Sequence, residues 1–287
     1  GGQQNVNSMK FILLLTLFLA ANSLFGQVPT NLRQKAKLKH WIIPTSHADK
    51  LKILENMDNK ELLEWVFYDM QEGNSSCIED LHQIDFNCDG IADLVYYGYG
   101  GGESNIIIFL KGDFENKYVE TIKLFGNIIE ISDNDGFTPL TFTLFNYACC
   151  GGVVDHVEKY VAVWNNAKFT YELQAKYALY CDVDIPFRRF DKPIAFETIN
   201  EKYFLRLNPY INDSIRLDHD EIGNIFAEYP KGSQGIAITS QTDKTGRIWW
   251  FVIMKNNVKP NWSLYVSGDN NTFPAFYLGW ISSRYVK

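Results

Sequence analysis

The stretch Gly279-Trp280-Ile281-Ser282-Ser283-Arg284-Tyr285-Val286-Lys287 sets a Gly-Trp pair before a β-branched residue, two serines, a basic residue, an aromatic and an aliphatic. It closes a β-rich region that contains a second tryptophan strand, Ile248-Trp249-Trp250-Phe251-Val252. Neighbouring strand residues point to opposite faces, so Trp280 and one of Trp249 and Trp250 are expected in a core. Further toward the N-terminus, from Ile78 to about Tyr180, apolar residues again recur with a period of two. Ile106 to Leu110, Tyr118 to Phe125 and Leu140 to Tyr147 read as strands, and Tyr160 to Trp164 and Phe169 to Leu173 flank an Asn165-Asn166 hairpin turn. Helices do not alternate with these strands, which excludes a doubly wound nucleotide-binding fold.

Aromatic residues make up 15% of the 287 residues, and such side chains favour pleated surfaces. Met9-Lys10 precedes an apolar run from Phe11 to Leu19 and then small residues, which reads as a secretory signal cleaved after Ser23 or Gly26. The expected location is therefore periplasmic or extracellular, with no stable membrane insertion after cleavage. Loss of Lys10 leaves 26 basic against 34 acidic residues, a balance that argues against a nucleic-acid partner. Cys77, Cys88, Cys149, Cys150 and Cys181 are an odd set whose pairing the sequence leaves open.

The helical segment comes before the strands. Ser46-His47-Ala48-Asp49 has the form of a capping box and leads into Leu51, Leu54 and Met57 at helical spacing. Asp58-Asn59-Lys60-Glu61 repeats the signature with Asp58 as the expected cap, ahead of Leu62, Leu63, Val66, Phe67 and Met70. The organisation expected is a leader over 1–26, a helical segment over 27–75, a β domain over 76–181, a linker over 182–202 and a second β domain over 203–287.

The closing stretch resembles the end of bacterial SH3-like (SH3b) domains. Three more segments carry the same resemblance in the same order: Phe204-Leu205-Arg206-Leu207-Asn208-Pro209-Tyr210, Tyr229-Pro230-Lys231-Gly232-Ser233, and the Trp249-Trp250 strand. The resemblance implies a small C-terminal barrel that binds cell-wall peptidoglycan or a cell-surface protein or glycan. A long aromatic insertion, Asn256 to Leu278, departs from the pattern and either reshapes or covers the groove. Tyr229, Trp249, Trp250 and Tyr277 are the ligand-binding residues expected on that surface.

Asp85-Phe86-Asn87-Cys88-Asp89-Gly90-Ile91-Ala92-Asp93-Leu94 carries the strongest chemical motif. Side-chain oxygens fall at its first, third, fifth and ninth positions, with glycine at the sixth. Alternating oxygens on a tight loop suit a hard cation. Asp85, Asn87, Asp89 and Asp93, with the Ile91 carbonyl, are the expected ligands of a structural Ca²⁺. Tyr96 stands where a helix-loop-helix calcium hand has glutamate. The loop resembles the calcium loop of FG-GAP repeats, which implies a small FG-GAP-like β domain.

Two other function classes compete with a non-catalytic binder. One is a cell-wall hydrolase using Cys149 or Cys150 with His156, which the resemblance implies because SH3-like domains often accompany cell-wall peptidases that use Cys and His. The other is a structural or inhibitory protein whose SH3-like groove is covered. The fold expected overall is mainly β: a helical N-terminal segment, a small antiparallel β domain and an SH3-like barrel.

Overall fold

A computed structural model describes residues 36, 42–68, 77–99, 105–115, 117–132, 139–147, 154–165, 168–180, 183, 186, 188–214, 223–264 and 275–287. The chain divides into two compact units, Asn31–Lys176 and one that holds Tyr177–Lys287. It is mainly β, with two α-helices among the described residues.

In the first unit, α1 (His47–Glu55) starts at the expected capping box. The Ser46 hydroxyl oxygen accepts the Asp49 N–H at 3.1 Å and donates to the Asp49 carboxylate at 2.6 Å. Helix α2 (Lys60–Tyr68) starts one residue later than the spacing predicts. Asn59, not Asp58, is its cap: its side-chain oxygen accepts the Leu62 N–H at 3.0 Å. Both residue types serve equally at that position, so the sequence could not choose between them.

Four strands follow as an antiparallel meander: β1 (Leu81–Ile84), β2 (Asp93–Tyr99), β3 (Asn105–Gly112) and β4 (Tyr118–Phe125). The run Ile106 to Leu110 is apolar throughout because this sheet is buried on both faces. Ile106, Ile108 and Leu110 pack with Leu94 and Tyr96 against Leu54, Leu62 and Val66 of the helices. Ile107 and Phe109 point the other way, into a cluster with Phe86, Phe142, Phe169 and Tyr171. Those last residues come from β6 (Thr141–Asn146) and β8 (Lys168–Tyr180) and from the loop before β2. With β5 (Asn127–Ser132) and β7 (Val154–Asn165) these form the second sheet, antiparallel from β5 to β6 and from β6 to β7. Phe86, which is fully buried, lies 5.3 Å from Phe109 edge-on and 5.4 Å from Phe169.

The second unit contains β9 (Ile194–Glu197), β10 (Tyr203–Arg206), β11 (Ile225–Tyr229), β12 (Gln234–Thr242), β13 (Ile248–Met254), β14 (Trp262–Ser263) and β15 (Phe276–Ser282). A single 3₁₀ turn follows at Ser283–Tyr285. β10 pairs with β11 and β15, β15 with β13, β13 with β12, and β12 with β9, all antiparallel. Tyr177 and Ala178, at the end of β8, pair with β15 in parallel. Glu197 and Lys287 exchange backbone hydrogen bonds at 3.0 and 3.1 Å, so the pairing circuit returns to β9. Residues 194–198, assigned by sequence to a linker, are thus part of this sheet: Ile194 to Glu197 pair with β12 and Thr198 bridges Val286. Two prolines and several charges nearby had masked a four-residue strand.

Gly279 has a local role here. A Cβ on it would stand 2.8 Å from the Arg206 carbonyl oxygen and 2.9 Å from Leu205 Cγ. Only a residue without one lets β15 approach β10 this closely. Trp280 then packs edge-on against Phe251 with ring centroids 5.3 Å apart.

Candidate functional site

Strand alternation divides the tryptophan pair as expected. Trp249 is buried at 1% exposure, on the same side of β13 as Phe251, and Trp250 faces the other way, half-buried. Phe196 of β9 packs on Trp250, 6.2 Å away. The described part of the insertion adds β14 beside β11, where Trp262 pairs with Glu228. Residues 265–274 of the insertion lie outside the described residues.

Tyr229 and Tyr277 are also buried, and pack edge-to-face on each other at 6.2 Å, with Phe226 5.5 Å from Tyr277. Of the four aromatics expected on a binding surface, Trp249 lines a cleft among the described residues. A residue type that suits stacking on a ligand suits a core equally, and a core this small consumes most of its aromatics.

The cleft has a volume of about 160 Å³. Tyr203 and Phe204 of β10, Arg247 and Trp249 around the start of β13, and Tyr285 of the 3₁₀ turn give it its character. Each is placed by local structure. The turn from Asp243 to Arg247 is tightened by Gly246, at φ +77°, and by the Asp243 carboxylate, which accepts the Thr245 and Arg247 N–H groups at 2.8 and 3.1 Å. The other carboxylate oxygen accepts the Trp249 indole N–H at 2.9 Å. The Thr245 hydroxyl first, then that indole N–H, hold the Asp243 carboxyl well below the usual carboxylate range. Arg247, just before β13, stands two residues ahead of Trp249, and its guanidinium lies over the indole at 5.7 Å. The buried Tyr203 hydroxyl donates to the Ser282 carbonyl and so ties β10 to the end of β15. Burial pushes its phenol above the ordinary value. Tyr285 stays 43% exposed at the rim.

Arg206 borders the same cleft but is committed inward. It is 5% exposed, 2.7 Å from the Asp213 carboxylate and 2.8 Å from the Asn224 side-chain oxygen. Sequence reading overlooked Tyr203, Arg247 and Tyr285. The available signal was the basic residue two positions before Trp249.

The acidic loop of the first unit is a network of side-chain-to-backbone bonds. Asp85 accepts the Asp89 and Gly90 N–H groups at 3.2 and 2.9 Å, Asn87 accepts that of Asp89 at 2.9 Å, and Asp89 accepts that of Ile91 at 2.9 Å. Cys88 at φ 60° and Gly90 at φ 82° supply the left-handed turns. The other oxygen of Asp89 meets the Lys111 ammonium of β3 at 2.5 Å. Asp93 is fully buried and accepts the Phe86 and Gly112 N–H groups at 3.2 and 2.8 Å. Burial first, with the nearby Asp89 charge adding, pushes its carboxyl up to about 7.

The donor set suits a hard cation in kind: three carboxylates, an amide oxygen and a carbonyl, with Asp85 and Asp89 pre-oriented by backbone N–H groups. As arranged here, however, no three His, Cys, Asp or Glu side chains among the described residues converge as a ligand group. Asp93 is turned to backbone amides, and the Lys111 ammonium meets Asp89.

His156 sits on β7 opposite Asn146. Burial, and then the Lys176 ammonium, push its imidazole down to about 4. Cys149 and Cys150, its suggested catalytic partners, lie outside the described residues.

No protein-family model, no curated protein and no solved structure matches this chain.

Proposed function

We propose that this is an exported, non-catalytic binding protein whose C-terminal unit is an SH3-like barrel that docks on cell-wall peptidoglycan. The observation that carries this reading is the cleft itself. It forms where Trp249, near the start of β13, meets the 3₁₀ turn of the closing stretch, two of the four segments on which the resemblance rests. The circuit of antiparallel pairings from β9 through β12, β13 and β15 supports a barrel. Exposed Tyr285 and Ile211 at the rim offer apolar contact to an extended peptide.

In the first unit, the acidic loop is proposed as a structural Ca²⁺ site. Asp85, Asn87, Asp89 and Asp93, with the Ile91 carbonyl, would hold the ion, which would supply the positive charge that Lys111 now provides. Its role would be to fix the turn between β1 and β2.

Retention on purified peptidoglycan tests the docking. The full chain should co-sediment with the insoluble wall, and Tyr285→Ala, a rim change that leaves the core intact, should weaken retention. A wild-type protein that stays wholly in the supernatant refutes the reading.

A further inference from the structure

Three cations border the cleft, and they differ in how they are neutralised. Arg206 is buried and paired with Asp213 at 2.7 Å. Lys202 reaches Glu228 at 3.7 Å on the outer surface. Arg247 alone has no carboxylate partner among the described residues: its guanidinium rests on the Trp249 ring, and the Asp243 carboxylate of the same turn accepts the indole N–H, the Thr245 hydroxyl and backbone N–H groups. A guanidinium held over a ring still has N–H groups to donate, and these match a carboxylate in a two-pronged bond.

We infer that Arg247 is the specificity-determining residue of the cleft and that the ligand is a short peptide bearing a free carboxylate. This rests on the proposed docking of the cleft on peptidoglycan, and it names which chemical group of the wall is read. The surroundings agree with the assignment. Trp249 fixes the arginine from below, so little side-chain freedom is lost on binding. Phe204 and Ile211 line the same cleft and add apolar surface suited to small side chains near the carboxylate. A volume of about 160 Å³ admits such a group and excludes a folded partner. Asp213 pairs with Arg206 and Glu228 faces Lys202, so Arg247 is the cleft cation with no ion-pair partner among the described residues.

The test uses the full chain and two probes: a soluble peptide released from peptidoglycan with its carboxylates free, and the same peptide with every carboxyl converted to an amide. Titration calorimetry should show the free acid binding wild type at least tenfold tighter than the amide, the loss expected for a charge-assisted hydrogen bond. Arg247→Gln should bind both peptides alike, and Arg247→Lys should recover part of the preference through charge without the fork. Wild type binding acid and amide equally, or Arg247→Gln still preferring the acid, overturns the assignment to Arg247 and leaves the cleft as a peptide site. Binding of neither peptide by a protein that still sediments with the wall overturns it as well. Binding of neither, with no sedimentation, overturns the docking reading along with it.

Discussion

Lowering the pH from 7 toward 4 should destabilise the first unit through His156. Its imidazole is half-buried on β7, close to Lys176 and Glu158, which pair with each other at 2.9 Å while the Tyr160 hydroxyl donates to Glu158 at 2.9 Å. That carboxylate is already shared between an ammonium and a phenol, and burial together with the Lys176 charge opposes a second cation at His156. The imidazole is pushed down to about 4 in the folded chain. In the unfolded chain it titrates near 6.5. The unfolded state therefore binds the proton first as pH falls. The stabilising contribution is complete above about pH 6.5 and is lost on the way down to about 4, at ~1.4 kcal/mol per pH unit, or up to about 3 kcal/mol in all. Asp93 acts in the opposite sense. Its carboxyl, raised to about 7, is protonated first in the folded chain, so it adds stability as pH falls from about 7. The wild-type curve alone mixes the two. The informative quantity is the difference between wild type and His156→Gln in urea unfolding at pH 7, 6, 5 and 4.5, which should shrink or reverse by about 2–3 kcal/mol across that range. Parallel curves for the two proteins would refute the reasoning.

Gly279→Ala should lower the stability of the second unit by roughly 1–3 kcal/mol, because its Cβ would press on the Arg206 carbonyl and Leu205. Denaturant unfolding followed by tryptophan fluorescence should show an earlier midpoint, and an unchanged midpoint would show that β15 can shift without cost. Added Ca²⁺ should raise the melting temperature of wild type and leave Asp89→Ala unmoved. Without Ca²⁺ the variant should differ by only about 1 kcal/mol, the worth of a partly exposed ion pair with Lys111. An equal Ca²⁺-dependent shift in both proteins removes the loop as the binding site.

Much of the fold was legible because strand periodicity survives without knowledge of partners. Tyr118–Phe125 is both the expected and the observed strand, and the Ser46 capping box is local chemistry that needs no tertiary context. Alternation also divided Trp249 from Trp250. It could not say which of the two would be core, because that depends on β9, a strand hidden among prolines and charges. Tyr229 and Tyr277 misled for a related reason: burial is decided by neighbours far off in sequence, such as Phe226 and each other. In the acidic loop the spacing of oxygens was plain, but Lys111 was not. It arrives from β3, 22 residues beyond Asp89, through sheet pairing alone.

The burial of the β1–β4 sheet on both faces also constrains how this unit can vary over generations. In most half-buried sheets, every second residue is free to change. Along Ile106 to Leu110 that freedom is missing, since a polar side chain at either parity enters one core or the other without a hydrogen-bond partner. Drift is channelled to β4, where Val119 is 68% exposed and Phe125 44%. Libraries that randomise the unit should therefore return mostly β4 substitutions among the folded survivors, with β3 close to its starting sequence.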